Sequence, residues 1–314
     1  IYEQGVSNFS MMTALPTGLR NHLNDFATLG SLRVHYQQQS KDGTIKRAYA
    51  LSDEKLIESV LMPYDDGRFT ACISSQAGCA MGCVFCATGQ MGFRRHLSSD
   101  EIFEQAYRFS QELKKTNDRL SNVVFMGMGE PFANYDNVLT AMKRIHDELG
   151  IGWRHITVST VGIVPKIYEF ADLDMQVTLA VSLHASSDEV RGALMPVNKQ
   201  WSISELLQAC RYYVHKTNRR ITFEWASING ESDSDEDARG LSSLLKGLKC
   251  HVNVIPVNPT AGFAGQASVS SARKFVQRLE ENGISATLRV RRGIDIDGGC
   301  GQLTMRIEDD DLNA

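Results

Sequence analysis

The sequence lacks any long hydrophobic run, and this argues against one class of protein at once. No apolar stretch approaches the roughly 18 residues that a membrane-spanning helix needs. An excess of positive charge is also missing, because 33 lysines and arginines stand against 37 aspartates and glutamates, for a formal net charge of −4. A non-specific basic nucleic-acid binder is therefore disfavoured, although local basic patches could still contact RNA. No low-complexity tract, internal repeat or signal segment is visible.

The chain does contain enough apolar residues for a core. Its 314 residues are 42% apolar and 22% charged, so one large domain with a small appendage is the expected organisation. The number of cysteines is odd, and a chain of this length needs no covalent staples. A secreted disulfide framework is thus disfavoured, and a reducing compartment is favoured. The cysteines are Cys72, Cys79, Cys83, Cys86, Cys210, Cys250 and Cys300.

Two stretches precede the main part of the chain. Residues 1–30 are predicted to be the truncated remnant of a small N-terminal helical accessory domain. Because the chain begins with Ile1 rather than methionine, we expect it to be truncated or processed. Residues 31–70 alternate with period two around a turn at Lys41-Asp-Gly, which predicts a β-hairpin extension.

After residue 70, short β-rich runs alternate with helical patterns. The runs begin at Thr70, Asn122, Ile156, Val177, Ile221, Val252 and Ala286. Helices are predicted over 202–217 and 235–248, and a capping box from Ser98 to Glu101 begins an earlier helix. Repeated βα units imply a parallel sheet with strands buried on both faces. The predicted fold class is α/β, a partial (β/α)6 TIM-like barrel.

Three of the cysteines lie within eight residues, in Cys79-Ala-Met-Gly-Cys83-Val-Phe-Cys86, on the loop after the first of these strands. This spacing lets three thiolates surround one compact centre. Zinc is one candidate, but a structural zinc site takes four ligands and no second cysteine pair follows, although His96 could complete a set. A [4Fe–4S] cluster held by three cysteines leaves one iron able to chelate an amine and a carboxylate. Three unrelated core cysteines are the third alternative.

The longer string from Ser74 to Gly89, Ser-Ser-Gln-Ala-Gly-Cys-Ala-Met-Gly-Cys-Val-Phe-Cys-Ala-Thr-Gly, resembles the radical S-adenosylmethionine (SAM) superfamily. In detail it is similar to the RNA adenine methyltransferase branch, the RlmN/Cfr type. Five other strings agree: Gly127-Met-Gly-Glu-Pro131, Ser159-Thr-Val-Gly162, Ser182-Leu-His-Ala185, Asn258-Pro259 and Gly299-Cys-Gly-Gln-Leu303. The resemblance implies a radical-SAM barrel over 71–292 and a C-terminal loop over 293–314 that carries a methyl-accepting cysteine.

The same resemblance implies two cofactors. One is a [4Fe–4S] cluster on Cys79, Cys83 and Cys86, and the other is SAM, with two molecules used per turnover. By resemblance, the SAM pocket is lined by Gly129, Glu130, Ser159, Ser182, Leu183, His184 and Asn258. These positions follow predicted strands at their carboxyl ends, where chemistry collects in a βα barrel. Glycines 127 and 129 are expected to let the backbone approach a ligand closely, and Glu130 to bind an ammonium group or ribose hydroxyls.

Two further cysteines and a glutamate receive roles from the family chemistry. Adenine C2 is a poor nucleophile toward a sulfonium methyl group, whereas a thiolate is a good one. In the family, a cysteine is methylated first, a radical from a second SAM removes hydrogen from it, and the carbon radical adds to adenine. Cys300 corresponds to that methylcysteine, Cys72 to the resolving cysteine of a transient disulfide, and Glu58 to the proton acceptor.

Two departures from the family pattern accompany these roles. One extra residue separates Glu58 from Cys72 in this chain. The family usually has small residues other than glycine before the methyl-carrying cysteine, whereas Gly298 and Gly299 stand here. Those glycines are expected to add freedom to the loop while retaining access to Cys300.

The implied activity is methylation of C2 of adenosine in the peptidyl-transferase region of 23S rRNA and beside the tRNA anticodon. A close alternative is methylation of C8 of the rRNA adenosine, which gives antibiotic resistance. The run Gln76-Ala77-Gly78, without an extra cysteine, and Gly92-Phe93 are more similar to the C2 branch. A zinc-containing RNA-binding module without catalysis is an alternative of a different class.

The partners implied are RNA and an electron donor such as flavodoxin or ferredoxin. The chain is expected to be a monomer without membrane contact, in the cytoplasm or, in a eukaryote, an organelle. Extruding a base for chemistry needs further RNA contacts. Candidate basic groups are Lys46, Arg47, Arg94, Arg95, His96, Arg219, Arg220, Arg289, Arg291 and Arg292. Cys210 and Cys250 are predicted to be core or incidental residues.

Overall fold

The computed structural model describes residue 6 and residues 8–304. Residues 1–5 and 7 of the predicted N-terminal remnant and 305–314 of the predicted C-terminal loop lie outside the described residues. The strands are β1 (Arg33–Gln39), β2 (Ile45–Ala50), β3 (Leu56–Pro63), β4 (Phe69–Cys72), β5 (Gln76–Gly78), β6 (Phe93–His96), β7 (Asn122–Phe125), β8 (Ile156–Thr160), β9 (Thr178–Ser182), β10 (Ile221–Ser227), β11 (Cys250–Pro256) and β12 (Ala286–Leu288).

The α-helices are α1 (Thr17–Phe26), α2 (Ala87–Gln90), α3 (Ser99–Lys114), α4 (Tyr135–Leu149), α5 (Val164–Asp172), α6 (Asp188–Leu194), α7 (Ile203–Thr217), α8 (Asp235–Leu245) and α9 (Val269–Glu281). Short 3-10 helices occur at Phe9–Met11, Pro131–Asn134, Trp153–His155, Pro196–Lys199 and Ile294–Ile296. Over the described ranges, we find no helix that combines the length and the apolar character required to cross a bilayer.

Ten of the strands in the described range form one mixed sheet, in the order β1-β2-β3-β4-β7-β8-β9-β10-β11-β12. The pairs from β1 to β4 are antiparallel, and every pair from β4 to β12 is parallel. The sheet has β1 and β12 at its two edges, so the parallel part is an open barrel rather than a closed one. The predicted α/β fold with a partial βα barrel is confirmed.

The parallel strands are buried on both faces because helices cover the outer side of the sheet. Consecutive residues Leu179, Ala180 and Val181 of β9 are all fully buried, as expected for such a sheet. The capping box predicted at the start of α3 is confirmed, since Ser98 and Glu101 each cap the other's backbone N–H. These helices orient the strands so that their carboxyl ends meet at one side of the molecule.

The antiparallel extension is built around two buried basic residues. Lys46 Nζ lies 3.6 Å from the Glu58 carboxylate, and the Arg47 guanidinium donates a 2.6 Å bond to Glu112 and lies over the Phe109 ring. Lys46 and Arg47 are both about 6% exposed. The prediction that this basic pair contacts RNA is therefore wrong, because a buried paired cation cannot reach a phosphate.

Candidate active site

The three clustered cysteines lie on a loop between β5 and β6, which form a small antiparallel hairpin of their own. The thiols of Cys79, Cys83 and Cys86 are all unbridged. Burial raises the pKa of Cys79 to about 12, and burial raises the pKa of Cys83 further, with the charges of Cys86 and Cys79 adding to the effect. All three thiols therefore lie in a desolvated part of the loop, close enough for the charges of Cys79 and Cys86 to act on Cys83.

Three thiols on one loop match the protein ligands of a [4Fe–4S] cluster with one open iron, whereas a structural zinc site takes four protein ligands. Among the described residues, no three or more His, Cys, Asp or Glu side chains surround one point closely enough to hold a metal ion. A zinc ion needs four such donors at once, whereas each thiolate on a [4Fe–4S] cluster binds a different iron. The imidazole of His96, the candidate fourth zinc ligand, instead contacts the Gln76 side-chain amide through Nδ1 at 3.1 Å. Zinc therefore loses its proposed fourth ligand.

A first cavity, with about 810 Å³ of empty space, opens beside the cysteine loop at the carboxyl ends of the parallel strands. Six of the seven predicted SAM-binding residues line it: Gly129, Glu130, Ser159, Ser182, His184 and Asn258. Cys86 and Cys300 line it as well. The seventh residue, Leu183, is fully buried behind them, and its carbonyl oxygen accepts a hydrogen bond from Arg191 Nε at 3.2 Å.

Glu130 is held firmly by its own neighbourhood. Its carboxylate accepts hydrogen bonds from the N–H groups of Phe132 and Val161 and from the hydroxyl of Thr160, at 2.7–3.0 Å. Burial nevertheless raises its pKa to about 7. Three acceptor sites of the Glu130 carboxylate thus bind the 3-10 helix Pro131–Asn134 and the end of β8, and the residue also lines the first cavity.

Gly129 lines the first cavity and is also required for packing. Its φ is +101°, and a Cβ there would lie 2.5 Å from the Cβ of Gln76. Gln76 in turn accepts the N–H of Glu130 at 2.8 Å through its side-chain oxygen. The close approach predicted at this glycine exists, but the partner is the β5 strand of the same chain.

His184 is a neutral imidazole. Burial, with the charge of Arg191 as a second cause, lowers its pKa to about 3. Its Nδ1 accepts the N–H of Ala226 at 2.9 Å, so the proton is on Nε2. The residue has φ of +60°, which is unusual for a side chain of this size and is imposed by the tight turn after β9.

Asn258 connects the first cavity to the loop that carries Cys300. Its amide Nδ2 donates to the Cys300 carbonyl oxygen at 3.0 Å, while its Oδ1 is buried without a hydrogen-bond partner among the described residues. Gly299 is packed tightly, since a Cβ there would lie 2.5 Å from Gln302 Oε1. The expectation that the two glycines leave this loop free is wrong, because Gln302 and Gly293 accept their N–H groups.

A second cavity, with about 820 Å³ of empty space, lies on the other side of Cys300. Cys72 lines it from the end of β4, as do Tyr64, Arg291 and Arg292 at its outer side. Burial, with the charge of Cys300 as a second cause, raises the pKa of Cys72 to about 12, and both thiols line this cavity. They are both unbridged, and the predicted disulfide between them is not formed in this structure.

Glu58 shares a strand face with the second cavity. The β3–β4 register pairs Val60 with Cys72, and alternate residues of a strand face the same side, so Glu58 lies on the face that carries Val60. Its carboxylate accepts the N–H of Thr304 at 3.0 Å and lies beside Lys46. The alternative of a solvated strand glutamate is wrong, because Glu58 is 3% exposed.

Sequence reasoning did not single out three charged residues at this site. Arg289 lines both cavities, Glu224 lines the first, and Arg191 donates to the carbonyl oxygens of Ser182, Leu183 and Val161. Arg289 appeared only as one of many basic groups. A charged residue whose partner is distant in sequence has no local pattern that distinguishes it from a surface charge.

Both the sequence and the fold match known radical SAM proteins. The Radical SAM superfamily profile matches residues 73–241. The chain is 47% identical over 312 residues to "Dual-specificity RNA methyltransferase RlmN 1" of Myxococcus xanthus, covering 98% of this chain and 87% of that relative. A "Probable dual-specificity RNA methyltransferase RlmN" of Staphylococcus aureus is 46% identical over 307 residues, covering 96% and 84%. The crystal structure of a radical SAM methyltransferase from Sphaerobacter thermophilus matches at a TM-score of 0.93 and 45% identity, covering 96% and 89%.

Proposed function

This chain belongs to the RlmN family of RNA methyltransferases within the radical SAM superfamily, and from that membership we propose that it methylates C2 of adenosine in 23S rRNA and in tRNA. The observation that carries the proposal is the position of Cys300, which lines both cavities. A methyl carrier must meet its methyl donor on one side and the base on the other. The first cavity would hold SAM beside Cys86, and the second would hold adenine beside Cys72.

Cys79, Cys83 and Cys86 would hold a [4Fe–4S] cluster, and the first cavity would hold SAM, two molecules being used per turnover. When bound, these groups supply a carbon radical strong enough to remove hydrogen from a methyl group. The chain's own residues do the remaining work. Asn258 positions the Cys300 backbone, and the neutral His184 offers one N–H donor to the cavity without adding a charge.

The two cysteines would act in sequence. The Cys300 thiolate would take the methyl group from one SAM. One hydrogen atom of that methyl group would then pass to the radical that the second SAM supplies, and the resulting carbon radical would bond to C2 of the adenine. Glu58 would accept the proton lost from C2, and the remaining unpaired electron would pass to the cluster. The Cys72 thiolate would then attack the Cys300 sulfur, so that an S–S bond forms as the bond between that sulfur and the RNA-linked carbon breaks, and that carbon would keep the electron pair and take up a proton to become the methyl group. The presence of Cys72 and Cys300 in the lining of one cavity supports the proposed attack of one sulfur on the other.

Several broader features belong to the same proposal. We infer RNA contacts from the basic mouth of the second cavity, an electron donor of the flavodoxin or ferredoxin kind, a monomeric state, and a cytoplasmic or organellar location. The segments 1–30, 31–70, 71–292 and 293–314 would serve as helical remnant, hairpin extension, barrel and methyl-carrying loop. Arg95 is a weaker candidate for RNA contact, because Asp53 and Glu101 already pair with it.

The decisive experiment is nucleoside analysis of RNA from cells with and without this protein. We expect 2-methyladenosine in digested 23S rRNA and tRNA only when the protein is present. Appearance of 8-methyladenosine would instead identify the C8 reaction. The absence of both would overturn the proposed activity.

Metal analysis after anaerobic purification tests the cofactor independently of activity. We expect iron and acid-labile sulfide in the natural protein, and background iron in Cys86→Ala. Cys250→Ala is the matched control, because Cys250 lies at the start of β11, outside the lining of both cavities. About one zinc per chain without sulfide would favour the RNA-binding module instead.

A further inference from the structure

Arg289 follows the end of β12 and lines both cavities, together with Cys300. The Arg289 side chain is 23% exposed, whereas the side chain of its neighbour Glu224 is only 6% exposed. The charge of Cys300 raises the pKa of Arg289 above its ordinary value, and burial opposes this, so the guanidinium remains a cation. A permanent cation with several N–H donors therefore stands beside the methyl-carrying cysteine.

The contacts that the Arg289 guanidinium makes with Glu224 and Met126 are long. Its Nη1 lies 3.7 Å from Glu224 Oε2 and 3.6 Å from the Met126 sulfur. A tight arginine–carboxylate pair has N–O distances of about 2.7–2.9 Å. Glu224 is drawn to its other neighbour, because Asn253 Nδ2 donates to the same oxygen at 2.8 Å. The guanidinium is therefore positioned by Glu224 without being fully engaged by it.

The chemistry of the target atom indicates what such a donor could bind. C2 of adenine lies between the ring nitrogens N1 and N3, and both nitrogens are hydrogen-bond acceptors. N1 and N3 are bonded directly to C2, so both nitrogens lie beside Cys300 when C2 is placed against it in the second cavity. Donors fixed where charge develops in a transition state are among the strongest contributors to catalysis.

We propose that Arg289 donates a hydrogen bond to a ring nitrogen beside C2 while the adenine lies against Cys300, an inference that rests on the proposed function. This bond does two things. It orients the base so that C2, rather than another ring carbon, faces the methyl-carrying sulfur. It also stabilises the electron density that moves onto the ring nitrogen when a carbon adds to C2.

The test uses the cluster-loaded enzyme with methylated Cys300 and a synthetic RNA hairpin that carries one target adenosine in its loop, beside the anticodon. Two analogue hairpins replace that adenosine with 1-deazaadenosine or 3-deazaadenosine, each of which lacks one acceptor nitrogen. Arg289→Gln removes the charge and Arg289→Lys retains it. Arg119→Gln is the control, because Arg119 is an exposed arginine outside both cavities. Rates are taken per methylated Cys300, and hairpin binding is measured by fluorescence anisotropy.

We expect Arg289→Gln to slow RNA methylation about 10- to 100-fold, the loss of one hydrogen bond to a charged group, with Arg289→Lys in between. One deaza hairpin should slow the natural enzyme by about tenfold or more, yet slow Arg289→Gln by less than about twofold. A merely structural role for Arg289 would leave the analogue penalty unchanged in the variant.

Two results would overturn the inference. One is an Arg289→Gln enzyme that methylates the hairpin at the natural rate. The other is a natural enzyme that treats both deaza hairpins like adenosine, a result that needs no folded variant. By contrast, failure of the natural enzyme to methylate the unmodified hairpin, or to methylate Cys300, would reject the proposed function itself.

Discussion

The side-chain amide of Asn258 donates a hydrogen bond to the carbonyl oxygen of Cys300 over 3.0 Å, and in the described part of the chain its own oxygen is buried without a partner. One side chain thus binds the loop that carries Cys300 and also leaves one buried acceptor unsatisfied. A buried acceptor without a partner costs free energy, and a bound ligand can recover that cost. Both halves of this relationship can be tested by one substitution.

Asn258→Ala should slow methylation of Cys300 by about tenfold or more, because the loop loses its anchor and the sulfur its position. The free energy of unfolding should fall by only about 1 kcal/mol, the net value of one hydrogen bond. Mass spectrometry of the peptide that contains Cys300 follows the methyl group over time. Asn229→Ala, in an exposed loop, is the control. Equal methylation rates in both variants would contradict the prediction.

Cys72→Ala should trap a covalent adduct between protein and RNA. The carbon bridge can form on Cys300, but without a second thiol the bridge cannot be broken, so methylated RNA should fall to background. A denaturing gel with labelled RNA reveals the adduct as a band of reduced mobility. Cys210→Ala removes a buried thiol on α7, away from both cavities, and should leave no adduct. An active, uncrosslinked Cys72→Ala enzyme would remove Cys72 from the reaction.

Lys46→Met should destabilise the protein by about 3 kcal/mol, because Glu58 would keep a buried charge without its cation. Urea unfolding curves measure this difference. The double variant Lys46→Met with Glu58→Gln removes both charges and should recover most of the lost stability. If the single and double variants unfold alike, the ion pair does not stabilise the fold.

His184→Asn should make the cluster-free protein less sensitive to acid. The folded pKa of His184 is about 3 against an ordinary value of 6.5, so the unfolded chain binds the extra proton first and the natural protein loses stability as pH falls below about 6.5. The loss is about 1.4 kcal/mol per pH unit in that range. Asparagine tolerates the left-handed backbone, and its side-chain oxygen can accept the Ala226 N–H.

Unfolding curves of the natural protein and of His184→Asn are compared at about pH 7.5 and at about pH 5, at constant salt. Glu130, whose raised pKa acts in the opposite direction over this range, is present in both proteins and cancels from the difference. Parallel loss of stability in the two proteins on acidification would contradict the prediction.

Periodicity predicted the long elements of this fold and missed the short ones. The helix expected over 202–217 begins at Ile203 and ends at Thr217. The helix expected over 235–248 ends early, at Leu245, because Gly247 follows with φ of +74°. Strands β5 and β6 were not predicted, since three or four residues are too few to show a period and their pairing depends on the loop between them.

The candidate site also has residues that the sequence could locate and residues that it could not. Residues at or just after the carboxyl ends of strands, such as Ser159 and Asn258, could be located from the sequence because the barrel places all those ends together. Lys46 and Arg289 could not, because their partners Glu58 and Glu224 are reached through sheet pairing and tertiary packing. Lysine and arginine are common on protein surfaces, so only their burial distinguishes such residues here. That burial is known only when the whole sheet is assembled.

The end of the described chain is bound to the helix that directly follows the cysteine loop. The N–H of Ala87 donates to the Gly301 carbonyl oxygen at 2.8 Å, and the Thr88 hydroxyl donates to the Leu303 carbonyl oxygen at 2.7 Å. If Cys79, Cys83 and Cys86 hold the proposed cluster, these two bonds join the cluster loop to the segment that carries Cys300. We then expect oxidation that distorts the cluster loop to displace Cys300 as well, so that the oxidised enzyme loses both proposed functions together.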